Sequence, residues 1–554
     1  MSRRARPIEG VVYRGQEEAA GWFKAGAWID MTAGDALREA AQRWGPRDAI
    51  VSGGRRLSFT DFDALSERLG AALLEHGLPP GGRVMFQMGN EIETAIALFA
   101  CFKAGLVPVC TVPQYGEFEM AALARASGAV AHFIQADFRA SLDLTGLAAR
   151  LAEAVPSLSF VMATGARAGE GAHPMGSLIE SMPIERARAR LAQVPIGSED
   201  VLKFQLSGGS TGLPKIIPRF HAEYLGHSRD WALQFGKNES SVALWSLPLV
   251  HNGGQVWALF PTVLIGRTLV LTEPDIDVIF EAISREGVTH AMSIGPIAPK
   301  ILAHPAIPRE RLSSLHIFGA MNRAEALEAA LGIPCANVYG LTEGMVSVTS
   351  PDRPAALRHG TNGTPGTPQN ELKLLQPGTE EPVADDDIGE LCFRGPSTLT
   401  GYFGDPEQTA RAMTSDGFFR TGDLFRLETV GDDRYLVFVG RAKDNIDRGG
   451  EKFGVEDIEV LIGTHPDIAD GRVVAMPCPV MGERACAFLV LRSGAKPPGV
   501  AELGRYLLSL GLAKFKLPER IEIIDSLPVT GVGKLDRARL RAIAAGRAGT
   551  CPTT

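Results

Sequence analysis

Ser207-Gly208-Gly209-Ser210-Thr211-Gly212-Leu213-Pro214-Lys215 follows an apolar run at 201–206 and gathers glycines, hydroxyls and one lysine into nine residues. Glycines let the backbone curl so that successive N–H groups converge, and hydroxyls and a lysine add donors for phosphate oxygens. A flexible surface turn is the plainer alternative for a Gly/Ser cluster, but this order of residues predicts a nucleotide-phosphate loop. It is not a Walker A loop. That motif runs Gly-Lys-Ser/Thr straight into a helix, whereas here Pro214 separates the last glycine from Lys215.

Upstream of this loop the spacing predicts parallel βαβ units. Residues 57–60 look like a strand end, after which Asp61 or Asp63 is expected to cap a helix carrying Leu65, Leu69, Leu73 and Leu74 on one face. Pro79-Pro80-Gly81-Gly82 stops that helix, 83–88 reads as a strand, 92–104 as an apolar helix, and 105–109 begins another strand. Further strands are expected at 130–135 and 268–272, the second followed by a helix at 276–285. After about Gly360 the texture changes to short alternating strands at 371–375, 389–394 and 435–439, the pattern of an antiparallel layer. Gly440-Arg441-Ala442-Lys443-Asp444 interrupts it, and a compact α+β unit follows: helices at 454–462 and 500–509, strands at 471–476, 485–491 and 520–524. The fold expected is α/β, with a large N-terminal domain of parallel βαβ sheets plus a small antiparallel β layer over 1–440. A small α+β C-terminal domain is expected over 441–554, a sensible size for a separate unit.

Composition narrows the function. A chain of 554 residues is too long for one hydrophobic core. Its 45% hydrophobic and 22% charged content is that of a globular enzyme. A net charge of −8 lacks the basic footprint of a nucleic-acid binder, so no nucleic-acid partner is expected. The seven cysteines form no CxxC pair and read as reduced thiols. Met1-Ser2-Arg3-Arg4-Ala5-Arg6-Pro7 is basic with no apolar stretch after it, and no run reaches membrane-span length, so a cytoplasmic protein without a membrane partner is expected.

Three other islands stand out. Tyr339-Gly340-Leu341-Thr342-Glu343-Gly344, after an expected strand at 336–338, sets a carboxylate beside a hydroxyl at a strand's end, where a magnesium–phosphate group is often held. A capped turn is its ordinary alternative. Arg420-Thr421-Gly422-Asp423 puts a carboxylate in an expected tight turn, suited to gripping ribose hydroxyls, although turns with Asp are common. Pro528-Val529-Thr530-Gly531-Val532-Gly533-Lys534 sets off a lysine that would otherwise read as solvated.

In order and wording, these islands resemble the adenylate-forming superfamily of acyl-CoA synthetases, luciferases and nonribosomal adenylation domains, from about residue 30 to 545. The resemblance implies ATP and Mg²⁺, with CoA or a carrier-protein phosphopantetheine as thiol acceptor. It implies that Ser207, Gly208, Gly209, Ser210, Thr211, Gly212 and Lys215 hold the ATP phosphates. Thr342 would meet the α-phosphate, Glu343 the metal, and Asp423 and Arg441 the ribose. Asn337, Tyr339 and Gly340 are also expected around the nucleotide. Lys534 is implied as the catalytic lysine bridging carboxylate and α-phosphate, and Lys443 as the hinge of a mobile C-terminal domain. A degenerate, non-catalytic relative would lack Lys534, Glu343 or Asp423, and all three are present.

Pro248-Leu249-Val250-His251-Asn252 resembles the aryl-acid–AMP ligases that activate 2,3-dihydroxybenzoate or salicylate for siderophores. There the Asn hydrogen-bonds the ring's ortho hydroxyl and carboxylate, whereas relatives that activate amino acids use an Asp. This implies an aryl-acid substrate held by His251 and Asn252, with His251 also counted among the catalytic residues, and an aryl carrier protein as one candidate partner. The His-Asn pair argues against a medium-chain or plant-type acyl-CoA synthetase. Gly449-Gly450-Glu451-Lys452 is worded as in the same branch; Gly319, Ala320 and Val346 fall where that branch lines its adenine and aryl pockets. One departure stands out. Where those enzymes continue Tyr/Phe-Pro-Leu, this chain reads Gly253-Gly254-Gln255-Val256-Trp257. Loss of an aromatic at Gly253 is expected to open room against the ring, and Trp257 to add bulk or a stacking surface. A bicyclic acid such as a hydroxynaphthoate or hydroxyquinaldate is therefore expected, with a hydroxybenzoate as the alternative should Trp257 pack in the core.

Overall fold

The computed structural model describes residues 3–165, 171–207, 214–294, 297–302, 304–321, 323–441, 446–449, 451–528 and 536–546, without the side chains of 299, 440, 441, 452, 456 and 538. Among these residues the chain forms four sheets. The first runs His173–Pro174, Phe160–Thr164, Ala129–Gln135, Arg83–Gln87, Val107–Val109, Val201–Ser207, Lys215–Phe220, and only its last pair is antiparallel. The second has a parallel centre, Cys335–Leu341, Ile317–Ala320, His290–Ser293, Val242–Trp245, Thr268–Leu271 and Asp48–Ser52, with antiparallel strands at both edges. The expected parallel βαβ layers are present.

The helix Ile92–Ala104 is buried at every position but Glu93 and ends at Gly105 in the left-handed region, φ 67°. An all-round apolar helix has no solvent face, so it packs between layers. Here it joins strands of both sheets, through Phe86, Phe133, Ile50 and Leu269, in the largest hydrophobic core. The helix Phe59–Glu75 begins earlier than expected. Its cap is Ser58, whose side chain accepts from Asp61 N–H, and neither Asp61 nor Asp63 caps it. Asp63 instead pairs with buried Lys103 at 2.5 Å.

The expected antiparallel layer is the sheet Glu371–Leu375, Gly389–Arg394, Phe419–Val430, Asp433–Arg441. The fourth sheet gathers Glu451–Phe453, Ile446–Arg448, Gly482–Leu491 and Ile468–Cys478, with Arg520–Ile523 added in parallel. Helices Glu456–Gly463 and Val500–Ser509 accompany it. This unit touches the rest of the chain through a buried charge cluster. Lys516 Nζ lies 2.6 Å from Asp457 Oδ2 and 3.6 Å from Glu119 Oε1, and Ala513 N–H donates to Glu119. The strand Asp433–Arg441 runs through Gly440, where the sequence had suggested a boundary, and residues 442–445 lie outside the described residues. All six described cysteines are buried. No described helix is long and apolar enough to cross a membrane.

Candidate active site

Loops at the ends of these strands enclose a cavity of about 690 Å³. Ser207 and Lys215 face each other in register where the antiparallel strands Val201–Ser207 and Lys215–Phe220 meet, so Lys215 opens a strand and not a helix. Both residues line the cavity. Gly208, Gly209, Ser210, Thr211 and Gly212 lie outside the described residues.

Across from Ser207, Leu341 pairs with Met345, leaving Thr342, Glu343 and Gly344 as the turn of a β-hairpin. Glu343 Oε1 accepts hydrogen bonds from Ser207 Oγ (2.9 Å) and Tyr402 Oη (3.1 Å). Burial, and then the Glu343 carboxylate, raise the Tyr402 hydroxyl well above the ordinary phenol range, so it stays a donor. Lys215 Nζ sits 4.5 Å from the centre of the Tyr402 ring. Behind the turn, Arg219 Nη1 donates to Thr342 O (2.9 Å) and Nη2 to Ser397 O (3.0 Å), while Arg219 pairs with buried Glu223. Gly344 has φ 123°, and a Cβ there would fall 1.6 Å from Ser397 O, so only glycine lets the turn approach this closely.

Asp423 enters the cavity by a route the sequence did not suggest. The stretch Arg420–Asp423 is no tight turn: it lies inside the strand Phe419–Val430. The ladder passes from Cys392↔Arg420 to Glu390↔Leu424, so Thr421, Gly422 and Asp423 bulge opposite a single residue. Gly422 sits at φ 72° and Thr421 Oγ1 donates to Leu391 O (2.8 Å). A bulge of this kind re-aims a side chain, and Asp423 lines the cavity with Oδ2 accepting from Tyr339 Oη at 2.8 Å. Arg441 is the ladder partner of Asp423. The side chain of Arg441, and all of Lys443 and Lys534, lie outside the described residues.

The other end of the cavity is apolar, where Gly253 lies against Ile294 and Trp257, and Gly340 against Trp257 and Val346; His251 and Asn252 line the same cavity. Gly253 N–H donates to His251 Nδ1 (3.2 Å), which places the proton of the neutral ring on Nε2. Asn252 is 8% exposed, and Tyr224 Oη donates to its Oδ1 at 2.8 Å. That bond orients the amide and leaves its NH₂ as the group for a ligand oxygen. The room expected at Gly253 is already filled. A Cβ there would meet Trp245 Cη2 at 3.0 Å, Ile294 Cδ1 at 3.1 Å and Trp257 Cε3 at 3.3 Å. Trp257 is 6% exposed and stacks on Trp231, so it is a packed wall of the cavity.

Four residues expected at the nucleotide do not reach the wall. Gly319 and Ala320 are packed in the strand Ile317–Ala320, and the next residue, Met321, lines the cavity in their place. Asn337 is committed elsewhere: Oδ1 accepts from Ala324 N–H and Nδ2 donates to His359 O. Tyr339 acts through Asp423, its ring packed against Phe425. Sequence reasoning passed over Tyr402, Tyr224 and Arg219, because no spacing ties them to the residues they hold. It quoted Glu451 only for its wording; this residue lines the cavity, and burial, then Asp447, raises its carboxyl to about 7.

No group of three or more His, Cys, Asp or Glu among the described residues is arranged to hold a metal. Mg²⁺ is commonly held by one or two carboxylates together with phosphates and waters. The only hydrogen bonds to the Glu343 carboxylate among the described residues fall on Oε1, so its second oxygen fits such a role.

Residues 37–403 match the AMP-binding enzyme family, and residues 457–534 match the AMP-binding enzyme C-terminal domain. The 2,3-dihydroxybenzoate-AMP ligase of Bacillus subtilis (strain 168) is 35% identical over 537 residues, covering 95% of this chain and 96% of that protein. The 2-hydroxy-7-methoxy-5-methyl-1-naphthoate–CoA ligase of Streptomyces carzinostaticus is 32% identical over 551 residues, covering 96% of each. The apo structure of Mycobacterium smegmatis MbtA matches with a TM-score of 0.72 and 29% identity, over 96% of this chain and 98% of that one.

Proposed function

The chain belongs to the AMP-binding enzyme family, and we propose that it is an ATP-dependent acid–thiol ligase acting on an ortho-hydroxylated aromatic carboxylic acid. The observation that carries the choice of acid is Asn252, whose amide is turned by Tyr224 so that it offers N–H donors in the wall of a cavity with an apolar end. N–H donors suit a carboxylate or an ortho hydroxyl oxygen; an α-ammonium group would need an acceptor there. His251 lines the cavity beside it.

In the first step a carboxylate oxygen of the acid attacks the α-phosphorus of ATP, the α–β bridging P–O bond breaks, and pyrophosphate leaves. Ser207, Lys215 and Thr342 are the described donors beside the phosphates, with Gly208 to Gly212 completing the cradle. Glu343 would hold Mg²⁺, which neutralises phosphate charge when bound. Lys534 meets the charge that grows on the α-phosphate, where oriented donors have their largest effect. Asp423 takes the ribose hydroxyls, steadied by Tyr339, with Arg441 as its neighbour. In the second step a thiol, of CoA or of a carrier-protein phosphopantetheine, loses its proton, its sulfur attacks the acyl carbon, and AMP leaves. The C-terminal unit, 441–554, turns about Lys443 between the two steps.

On ring size, the filled space at Gly253 favours a single ring. A bicyclic acid is the second reading, favoured by the similarity to a naphthoate–CoA ligase. ATP–pyrophosphate exchange over salicylate, benzoate, 1-hydroxy-2-naphthoate, a medium-chain fatty acid and phenylalanine tests both. Exchange is expected with the ortho-hydroxylated aromatic acids, salicylate foremost; exchange confined to the fatty acid or to phenylalanine overturns the proposal.

A further inference from the structure

The apolar end of the cavity is carried by a π-helix, Gly254–Leu259, which continues as the α-helix Phe260–Ile265. Widening the turn to i→i+5 takes carbonyls out of the regular ladder. At i+4 from Trp257 stands Pro261, which has no N–H to give, and side chains claim the carbonyls of both Trp257 and Ala258, Thr262 Oγ1 donating to the second at 3.1 Å. Lys237 Nζ donates to Trp257 O at 2.9 Å; Arg267 Nη2 donates to Trp257 O at 3.1 Å and Ala258 O at 2.6 Å. Lys237 is 5% exposed and Arg267 fully buried, and Nε and Nη1 of Arg267 have no partner among the described residues. No carboxylate among the described residues pairs with either group. Burial, and then the Arg267 charge, push Lys237 well below the ordinary lysine range, and burial alone lowers Arg267 to about 9.

Two unpaired basic groups in a core are costly, and apolar residues would pack as well. What apolar residues cannot do is donate to the carbonyls of Trp257 and Ala258. Lys237 reaches Trp257 twice. It bonds the backbone carbonyl, and its head lies 3.9 Å from the centre of the Trp231 ring, which stacks on the Trp257 indole at 5.6 Å. Behind the indole the void among Trp231, Lys237, Trp245 and Trp257 is about 10 Å³, room for one water. The indole cannot retreat, so its reach into the cavity follows from where its backbone is held.

We propose that Lys237 and Arg267 are positioning residues for acid selection: by clamping the π-helix at Trp257 they set how far the indole stands into the slot and which rings fit beneath it. Neither lines the cavity. This rests on the reading above in which Trp257 walls the acid site.

The test uses the full chain carrying Lys237→Met or Arg267→Met, with Lys237→Gln and Arg267→Lys as variants that keep a donor. Pyrophosphate exchange gives KM for ATP, salicylate and 1-hydroxy-2-naphthoate, and amide hydrogen exchange reports on the peptide 251–265. Loss of a buried hydrogen bond to the Trp257 carbonyl predicts that acid KM rises about tenfold in the Met variants and that the ratio of kcat/KM for the two acids moves by a similar factor, while ATP KM stays within about twofold. The donor-keeping variants should recover most of that ratio, and peptide 251–265 should exchange faster in the Met variants. An unchanged acid ratio in folded Met variants, or ATP KM rising alongside acid KM, overturns the proposal. Should the Met variants not fold, the donor-keeping variants decide by what they fail to recover: a residual shift of about twofold in the acid ratio with faster exchange of 251–265 supports the clamp, and a ratio and a protection both equal to the parent's overturn it. A parent enzyme that activates no aromatic acid sinks the functional reading alone; the clamp is then decided by hydrogen exchange, and unchanged protection of 251–265 overturns it.

Discussion

The two ends of the cavity are built in opposite ways. At the phosphate end Ser207, Lys215, Thr342 and Glu343 sit at the ends of antiparallel strand pairs, where short contiguous stretches of sequence present their own side chains. At the acid end the wall is a π-helix whose geometry depends on Tyr224, Lys237 and Arg267, none of them adjacent in sequence. Charge chemistry needs fixed donors and carboxylates and is carried by motifs. Selection of an apolar ring needs shape, and shape comes from packing.

That contrast can be broken by mutation, and the largest effect belongs at the phosphate end. If Lys534 meets the charge that appears in the transition state, as proposed, Lys534→Ala should lower adenylate formation about a hundredfold or more with acid KM little changed. Pyrophosphate exchange that survives would remove Lys534 from the chemistry. Glu343→Gln should cost about ten- to a hundredfold and raise the Mg²⁺ needed for half-maximal rate, since one carboxylate would hold the ion; an unchanged Mg²⁺ titration counts against it. Asn252→Ala should cost about tenfold in kcat/KM for salicylate and far less for benzoate, which lacks the ortho hydroxyl. Equal losses on the two acids would take Asn252 away from that hydroxyl.

The smallest effect concerns pH. The Glu451 carboxyl is raised from 4.5 to about 7, so the folded chain holds a proton there that the unfolded chain has released. Stability therefore falls as pH rises from about 4.5 to about 7 and stays lower above it. Glu451→Gln should flatten the dependence of melting temperature on pH across that window and raise it at pH 8. An identical pH profile in the variant would mean that the carboxyl is not raised.

The same contrast explains what was legible in the sequence. Parallel βαβ layers, the antiparallel layer and the C-terminal α+β unit follow from local periodicity, and the helix Ile92–Ala104 was expected to the residue. Ser58 was passed over as a cap because two aspartates just beyond it offer the same chemistry, and a helix starts at the first suitable acceptor. The Asp423 segment was read as a turn because Gly-Asp favours turns; a bulge inside a long strand needs the neighbouring strand to be recognised. Gly253-Gly254-Gln255-Val256-Trp257 gives no local sign of a π-helix, since the carbonyls of Trp257 and Ala258 are bound by side chains from other elements. Tyr402 and Tyr224 were missed for the same reason: each holds a site residue far away in the chain.

The most direct test of the division of labour is a paired measurement of KM for ATP and for salicylate in Asn252→Ala and Glu343→Gln. The account predicts a crossed pattern, with Asn252→Ala raising acid KM and leaving ATP KM within about twofold, and Glu343→Gln doing the reverse. Both variants moving both constants together would contradict it.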